Sequence, residues 1–329
     1  MLVVMELPRT RELLPMVLWR ASSPSTNAEL RELALEAAAE GDPLPHGTLL
    51  VTDTQTAGRG RLDRGWETPP GRALAASLLV RGYGEVDSGG GSAPGGSAPA
   101  GSAPGGSAPG GSAPDWGGLG PAWLPLIAGS AVRAALQPFF AIDPTDPTDP
   151  TYPGDARKAK RVGTKWPNDV HVRTEDDAMA GSPGKKLCGI LCELLPDGSA
   201  IVGMGMNLLI PEWELPTERS TSLLAAGGDV GELDSFASPG GAELVDRVLA
   251  GVAGELLALA ELAGRDPGAI RVRAGRDSLT LGTEVRVHLP NEEVVDGRAR
   301  ALAADGSLTV DLPTGGELIV SAGDVQHLR

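Results

Sequence analysis

Cysteine is scarce in this chain of 329 residues, which contains only Cys188 and Cys192. Both fall in a predicted strand, where a rise of ~3.3 Å per residue separates them by about 13 Å along one face. That separation exceeds the span of a disulfide, and no histidine is near them in the sequence to complete a metal site. We interpret both residues as small buried thiols.

Long apolar runs are absent as well. No stretch of 18 uninterrupted apolar residues occurs, which argues against a membrane-spanning helix. The apolar start at Met1 to Met5 is too short for a signal peptide, and the charged residues Glu6 and Arg9 follow it. These features predict a cytoplasmic protein that has no membrane partner.

Excess positive charge is also missing. The formal net charge is −15 and the pI is about 4.7, whereas nucleic-acid binding requires a broad basic surface. We therefore expect no nucleic-acid partner. The length suggests about two domains, and a hydrophobic content of 41% supplies enough material for a core.

The common nucleotide and hydrolase motifs are not present. Gly184-Lys185 lacks the upstream glycine and the following Ser or Thr of a phosphate-binding P-loop. No Gly-x-Gly-x-x-Gly follows a predicted strand, no Ser/His/Asp set is evident, and the four histidines have no metal-ligand spacing. A nucleotide would have to be bound by other loops.

A run rich in arginine and glycine, from Gln55 to Trp66, is the most informative segment that the chain does have. It contains Arg59, Arg61 and Arg64 together with Gly58, Gly60 and Gly65. Glycine allows a backbone to approach a ligand closely, and guanidinium forks suit phosphate and carboxylate groups. In an acidic protein this segment predicts an anionic ligand, with a solvated arginine-rich turn as the alternative.

Two further polar segments are candidates for ligand binding. Ser25-Thr26-Asn27 opens a predicted helix, where it either caps the helix or binds polar groups of a ligand. Lys165-Trp166-Pro167-Asn168-Asp169 forms a polar turn between strands. Its Asp169 is either a structural ion-pair partner or a group that orients a lysine or a magnesium ion.

Two strand segments complete the set. Lys186 stands at the start of a strand, and Gly189 leaves space for a ligand against that strand. A solvated lysine is the alternative. Asn207 ends the run Gly-Met-Gly-Met-Asn and could read a purine edge.

Hydrophobic periodicity predicts the secondary structure. Thr26 and Glu29 form a capping-box pattern for a helix ending near Glu40, and further helices are predicted over 121–140 and 242–263. Strands are predicted over 15–20, 47–52, 74–81, 162–166, 170–173, 186–195, 200–210, 284–289, 294–302, 307–312 and 318–320.

Two low-complexity insertions interrupt this pattern. Residues 91–114 hold five copies of Gly-Ser-Ala-Pro, and a second segment repeats Asp-Pro-Thr three times. Such compositions cannot bury enough apolar surface to fold, so disorder is predicted over 84–118 and 143–158. A domain boundary is predicted between 274 and 275, with a small β-barrel over 275–329.

The order and spacing of the polar segments resemble the biotin protein ligase family. The matching motifs are Ser-Thr-Asn, Gln-x-x-Gly-Arg-Gly-Arg-x-x-Arg-x-Trp, Lys-Trp-Pro-Asn-Asp, Lys-Leu-x-Gly-Ile-Leu and Gly-x-Gly-x-Asn. The resemblance is strong over Leu18 to Asn207 and looser beyond. It implies an α+β fold in which a mixed, largely antiparallel sheet is flanked by helices, as in class II aminoacyl-tRNA synthetases and biotin/lipoate ligases. A small C-terminal SH3-like β-barrel follows over 275–329.

The resemblance also implies an activity. A catalytic domain over 1–274 would use ATP and Mg²⁺ to activate biotin as biotinyl-5′-AMP. It would then transfer biotin to a lysine of a biotin carboxyl carrier domain. No tightly bound cofactor is implied. Because fewer than 15 residues precede the first strand, we expect a short form without the N-terminal DNA-binding domain of larger members. The resemblance leaves open whether the protein is a monomer or a weak homodimer.

Site residues follow from the resemblance position by position. The implied catalytic residues are Lys186, Arg59, Arg61 and Asp169. The implied biotin-binding residues are Ser25, Thr26, Asn27, Gln55, Gly58, Arg59, Gly60, Arg61, Lys186 and Gly189. The implied ATP- and adenylate-binding residues are Arg61, Arg64, Trp66, Asn168, Lys186 and Asn207, and no protein metal site is implied. A lipoate or octanoate ligase of the same fold and a non-catalytic adaptor are the alternatives.

Overall fold

A computed structural model describes residues 5–61, 64–81, 119–140, 160–289, 293–321 and 323–328. Both predicted insertions lie outside these residues. The six α-helices of the described part are α1 (Pro8–Leu13), α2 (Thr26–Ala39), α3 (Leu124–Leu136), α4 (Glu175–Met179), α5 (Pro239–Arg265) and α6 (Pro267–Asp277). Within it, no helix has the length and apolar character to cross a membrane.

Fourteen strands are described. They are β1 (Met16–Arg20), β2 (Thr48–Thr52), β3 (Gly58–Arg59), β4 (Gly65–Trp66), β5 (Ala73–Val80), β6 (Lys160–Lys165), β7 (Asp169–Thr174), β8 (Lys185–Leu194), β9 (Ala200–Asn207), β10 (Glu284–His288), β11 (Val294–Leu302), β12 (Leu308–Asp311), β13 (Glu317–Val320) and β14 (Asp324–His327). The first large sheet has the order β1-β2-β5-β9-β8-β7-β6, and the second has β13-β12-β11-β10-β14. β1 and β2 are parallel, and the other neighbours in both large sheets are antiparallel. The predicted α+β class, with a mixed sheet and a C-terminal antiparallel sheet, is confirmed.

The two faces of the seven-stranded sheet pack against different helices. Leu74, Leu78 and Val202 belong to the main core together with residues of α3 and α5. On the opposite face, Leu79 and Ile201 pack against Leu30 of α2 in a smaller cluster. Because alternate residues of a strand point to opposite faces, β5 and β9 are buried along their whole length.

The N-cap of α2 lies one residue before the predicted cap, Thr26. Ser25 is the N-cap, and its Oγ accepts a hydrogen bond from the Ala28 backbone N–H. The predicted Thr26–Glu29 capping box is wrong, because the Glu29 carboxylate instead pairs with Arg20 and accepts a hydrogen bond from Ser23 Oγ at 2.7 Å. The cap therefore leaves Thr26 to make other contacts.

The C-terminal sheet packs against the first sheet through the turn between β11 and β12. Trp123 Nε1 donates to the Ala304 carbonyl at 2.9 Å, and Trp166 Nε1 donates to the Gly306 carbonyl at 3.1 Å. One hydrophobic cluster extends through both sheets. Residue 275 lies in the last turn of α6, so the boundary at that residue stays a prediction.

Candidate active site

A cavity of about 360 Å³ lies over one face of the first sheet. Its walls come from the start of α2, residues 59–61 and 64–67, the strands β6 to β9 and the start of β14. Fourteen of the fifteen predicted site residues line it, namely Ser25, Thr26, Asn27, Gln55, Arg59, Gly60, Arg61, Arg64, Trp66, Asn168, Asp169, Lys186, Gly189 and Asn207. The fifteenth, Gly58, lies outside the lining.

The floor of the cavity consists of small residues on three adjacent strands. Ala75 of β5 pairs with Gly205 of β9, which pairs with Gly189 of β8. Gly203 lies on the same face of β9, two residues from Gly205. Further along this face, Leu79 and Ile201 fill the space under α2. The change from large to small side chains on one face of the sheet therefore creates the cavity.

A β-bulge in β8 places Lys186 on the cavity side. Asp169 of β7 pairs with Gly189, but His171 pairs with Lys186 rather than with Leu187. The extra residue leaves Leu187 and Cys188 both buried in the main core, so Lys186 and Gly189 both face the cavity. Bulges commonly re-aim side chains next to active sites.

The two predicted partners in catalysis, Lys186 and Asp169, form an ion pair. Lys186 Nζ lies 2.7 Å from Asp169 Oδ1, and it stands 5.4 Å from the centre of the Trp66 ring. Burial opposes ionisation of Asp169, but the neighbouring His171 and the ammonium groups of Lys186 and Lys165 keep the pKa of this carboxyl well below its usual range. Asp169 therefore stays negatively charged and holds the ammonium group at the cavity wall.

A buried histidine lies behind this pair. His171 Nδ1 is 3.2 Å from the Gly184 carbonyl, which can only accept a hydrogen bond, so Nδ1 carries the proton. Its Nε2 is 3.8 Å from Asp169 Oδ2, too far for a hydrogen bond. Burial lowers the pKa of His171, so the ring is neutral near pH 7.

Polar groups gather where α2 meets the floor. Gln55 Oε1 accepts hydrogen bonds from the Thr26 backbone N–H at 3.0 Å and from Thr26 Oγ1 at 3.3 Å. Ser77 Oγ lies 2.7 Å from both Thr26 Oγ1 and Asn27 Oδ1. A Cβ on Gly203 would lie 2.1 Å from Asn27 Oδ1, so glycine is required for Asn27 to reach this position.

The arginine-rich segment forms a short hairpin of β3 and β4, which we call the arginine hairpin (58–61 and 64–66). A Cβ on Gly58 would lie 2.4 Å from Gln55 Nε2, so this glycine lets the hairpin pack against Gln55. Arg61 Nη1 donates to Asn168 Oδ1 at 3.4 Å. Arg64 Nη2 donates to Asp324 Oδ2 at 2.7 Å.

Trp66 covers the floor. A Cβ on Gly205 would lie 2.2 Å from Trp66 Cε2, and a Cβ on Gly189 would lie 2.9 Å from its Cζ3. The indole Nε1 is buried and makes no hydrogen bond to any described residue. A buried indole N–H usually has a partner, so this donor is available to a ligand.

Sequence reasoning missed several lining residues. Lys165 and Asp324 line the cavity, and burial lowers the pKa of Lys165 despite the opposing charges of Asp169 and Asp324. The glycines at 203 and 205 and the motif from Lys165 to Asp169 were signals in the sequence for part of this set. No sequence pattern indicated Asp324.

Asn207 and the two cysteines were also singled out in the sequence. Asn207 is buried, and its Nδ2 donates to the Thr221 carbonyl at 3.0 Å, so a role at the nucleotide stays a prediction. Cys188 is buried as predicted, but Cys192 is only partly buried. Burial raises the pKa of Cys192 to about 12, which leaves this thiol unreactive near neutral pH.

Known proteins resemble this chain in both sequence and fold. Residues 280–328 match the family described as Biotin protein ligase C terminal domain. A protein from Mycobacterium tuberculosis, named Biotin--[acetyl-CoA-carboxylase] ligase, is 31% identical over 309 residues, which cover 94% of this chain and 88% of that protein. The chain belongs to the biotin protein ligase family.

Two further proteins share sequence or fold with this chain. The Bifunctional ligase/repressor BirA of Bacillus spizizenii is 27% identical over 310 residues, covering 91% of this chain and 70% of that protein. A solved biotin protein ligase from Aquifex aeolicus, in complex with biotin and ATP, superposes with a TM-score of 0.59 at 22% identity. The match covers 96% of this chain and all of that one (100%). Membership of the ligase family and the fold class are thus confirmed, whereas the roles of individual site residues stay predictions.

Proposed function

We propose that this protein activates biotin with ATP to form biotinyl-5′-AMP and then transfers the biotinyl group to a lysine of a biotin carboxyl carrier domain. The observation that carries the proposal is the Lys186–Asp169 ion pair, which stands in one cavity with Arg61 and Trp66. The relative from Mycobacterium tuberculosis bears a name that states this type of reaction.

The first step brings two anions together. A biotin carboxylate oxygen bonds to the α-phosphorus of ATP, and the bond from that phosphorus to the bridging oxygen breaks, so that pyrophosphate leaves. The ammonium group of Lys186 offsets the repulsion between the carboxylate and the phosphate. Because Asp169 is already ionised, Lys186 stays fixed during the step without a proton transfer.

The small-residue floor and the polar groups of α2 suit the acyl substrate. We assign the ring system of biotin to the end of the cavity formed by Ser25, Thr26, Asn27 and Gln55, where hydroxyl and amide groups converge. The arginine hairpin and Asn168 then lie toward the nucleotide. Trp66 covers the junction and excludes water from the mixed anhydride.

The second step consumes the anhydride. The amine of the acceptor lysine attacks the acyl carbon, the bond to the phosphate oxygen breaks, and AMP leaves. The depressed pKa of Asp169 makes this carboxylate a weak base, so the amine has to lose its proton to solvent or to the leaving phosphate.

Magnesium fits this site as a companion of ATP. The described residues contain no group of three or more His, Cys, Asp or Glu side chains that could hold a metal ion. Mg²⁺ binds readily through one or two carboxylates together with substrate phosphates, and Asp169 and Asp324 both line the cavity. We therefore propose that Mg²⁺ enters bound to ATP. Because ATP is supplied in the cytoplasm, we also propose that the reaction takes place there.

The test is incubation of the purified protein with biotin, MgATP and a carrier domain, followed by mass measurement of the acceptor. The expected result is a gain of one biotinyl group that requires both ATP and the acceptor lysine. Parallel reactions with lipoate and octanoate test the alternative ligases. Modification by lipoate or octanoate but not by biotin would overturn the proposal.

A further inference from the structure

The C-terminal sheet reaches the cavity through the residues that open β14. Gly323 and Asp324 line the cavity, and Asp324 pairs with His288 of β10. Gly323 has a φ of +145°, and a Cβ there would lie 2.7 Å from the His288 carbonyl oxygen. Glycine at this position therefore allows the chain to turn closely past β10 and present Asp324 to the cavity.

Asp324 binds the arginine hairpin directly. The 2.7 Å ion pair between Arg64 Nη2 and Asp324 Oδ2 joins two segments that are 260 positions apart. The side chains are 64% and 32% exposed. An ion pair this exposed contributes little to folding stability, but it restricts a long side chain that would otherwise sample many rotamers.

Asp324 is also the counter-ion of several cations at this end of the cavity. Burial opposes its ionisation, but the hydrogen bond from Arg64 and the charge of Lys165 lower the pKa of Asp324. The charges of Arg61 and Arg64 repel each other, while Asp324 attracts both. Together with Asp169, Asp324 therefore offsets the repulsion among Arg61, Arg64 and Lys165.

The ion pair leaves most of the Arg64 guanidinium available. A guanidinium has five N–H donors in a fixed fork, and Asp324 accepts from Nη2. The other donors make no hydrogen bond to any residue that the structure describes, although Arg64 lines the cavity. Asp324 thus fixes the direction of Arg64 without blocking its binding to an anion.

We propose that Asp324 is a positioning residue that holds Arg64 toward the phosphates of ATP, so that the C-terminal sheet contributes to nucleotide affinity. This inference rests on the proposed function in one respect, the use of ATP. It assigns the C-terminal sheet a specific part in the site, through one carboxylate acting on one arginine.

The first test is calorimetric titration of MgATP, without biotin, into the wild type and the Asp324→Ala variant. Loss of a charge-assisted hydrogen bond to Arg64 is expected to weaken ATP binding roughly tenfold, while biotin affinity, measured without ATP, stays unchanged. Asp324→Glu should restore part of the ATP affinity. Asp296→Ala is the matched control, because this aspartate pairs with Arg286 within the same sheet and lies away from the cavity lining.

A second variant pair separates positioning from other effects. In an Arg64→Ala background, Asp324→Ala should cause no further loss of ATP affinity, because its effect passes through Arg64. Unchanged ATP affinity in the single Asp324→Ala variant would overturn the inference. Tighter binding would also overturn it, since Asp324 would then compete with phosphate for Arg64. A thermal melt of each variant identifies any that are misfolded.

This measurement distinguishes the inference from the proposed function. A wild-type protein that binds ATP but does not biotinylate a carrier domain would overturn the proposed function and leave the role of Asp324 intact. Biotinylation with no effect of Asp324→Ala on ATP affinity would overturn the role of Asp324 and leave the proposed function intact. A wild type that does not bind ATP would overturn both.

Discussion

Two adjacent lysines at the start of β8 have different surroundings. Lys186 forms the 2.7 Å ion pair with Asp169 at the cavity wall. Lys185 is half exposed, and its Nζ lies 3.7 Å from Glu212 Oε1. The two lysines are adjacent in sequence and carry the same charge. They therefore allow a cavity-facing ammonium group to be compared with a solvent-facing one.

We expect Lys186→Ala to slow adenylate formation by about 10²–10³-fold, since a preorganised cation next to developing negative charge typically contributes this much. Lys185→Ala should leave the rate near that of the wild type. Biotin-dependent exchange of pyrophosphate into ATP measures the step. Equal rates for wild type and Lys186→Ala would remove this residue from the catalytic machinery.

At the level of single residues, much of the site could be predicted because its motifs are local in sequence. Three short segments each contain several lining residues, namely Ser25 to Asn27, the arginine run and Lys186 to Leu191. Asp324 could not be predicted in this way, because it reaches the cavity through the packing of a second sheet. Lys165 was visible in its motif, but its burial next to Asp169 depends on the pairing of β6 with β7.

At the level of elements, the small-residue floor supports Trp66. We expect Gly205→Ala to displace the ring, because the new Cβ would lie 2.2 Å from Trp66 Cε2. The ratio kcat/KM for adenylate formation should fall at least about tenfold, since misplacement by ~1 Å can cost more than this. Gly65→Ala, in the same hairpin, is the control, because its Cβ would meet no atom within 4 Å.

The Gly205→Ala experiment needs a measure of folding as well as pyrophosphate exchange. The main core beneath β9 includes Met204 and Met206 on the opposite face, so the melting temperature should change little. A Gly205→Ala variant with the kcat/KM of the wild type would show that the position of the Trp66 ring does not depend on the small-residue floor.

Long, strongly patterned elements were predicted well, and short ones were not. The strands β5, β8 and β9 and the helix α5 have continuous or periodic apolar residues that identify them. The helices α1 and α4 have six and five residues, and β3 and β4 have two each, which is too short for any period to show. The helix α6 buries only Ile270, Ala274 and Asp277, so its sequence resembles a polar linker.

At the level of the whole molecule, the buried His171 and the partly buried His327 are both uncharged near neutral pH. Burial lowers the pKa of His171 and lowers that of His327 to about 3. In the unfolded chain a histidine has a pKa near 6.5. Between these values the unfolded chain binds more protons than the folded protein, so stability rises with pH and falls as the solution becomes more acidic.

We therefore expect protonation of His327 in the unfolded chain to lower the free energy of unfolding by about 1–2 kcal/mol when the pH falls from 6.5 to 5. This range follows from a slope of ~1.4 kcal/mol per pH unit for one proton. Urea unfolding at several pH values measures this dependence. The variant His327→Gln should reduce the slope of stability against pH. Glutamine keeps a group able to hydrogen-bond Thr280 Oγ1, which lies 3.3 Å from His327 Nε2. An identical slope in both proteins would assign the acid sensitivity to other groups.

The extra residue in β8 has a consequence for how this protein could change over evolution. Leu187 and Cys188 both point into the hydrocarbon interior, so the residues before and after them emerge on the opposite side. Removing Leu187 would restore strict alternation and send the Lys186 side chain toward α3, where an ammonium group has no water. An insertion or deletion there would move the Lys186 ammonium group out of the cavity even though the other cavity-lining residues were unchanged. The composition of the cavity wall thus depends on the number of residues in one strand as much as on which amino acids are present.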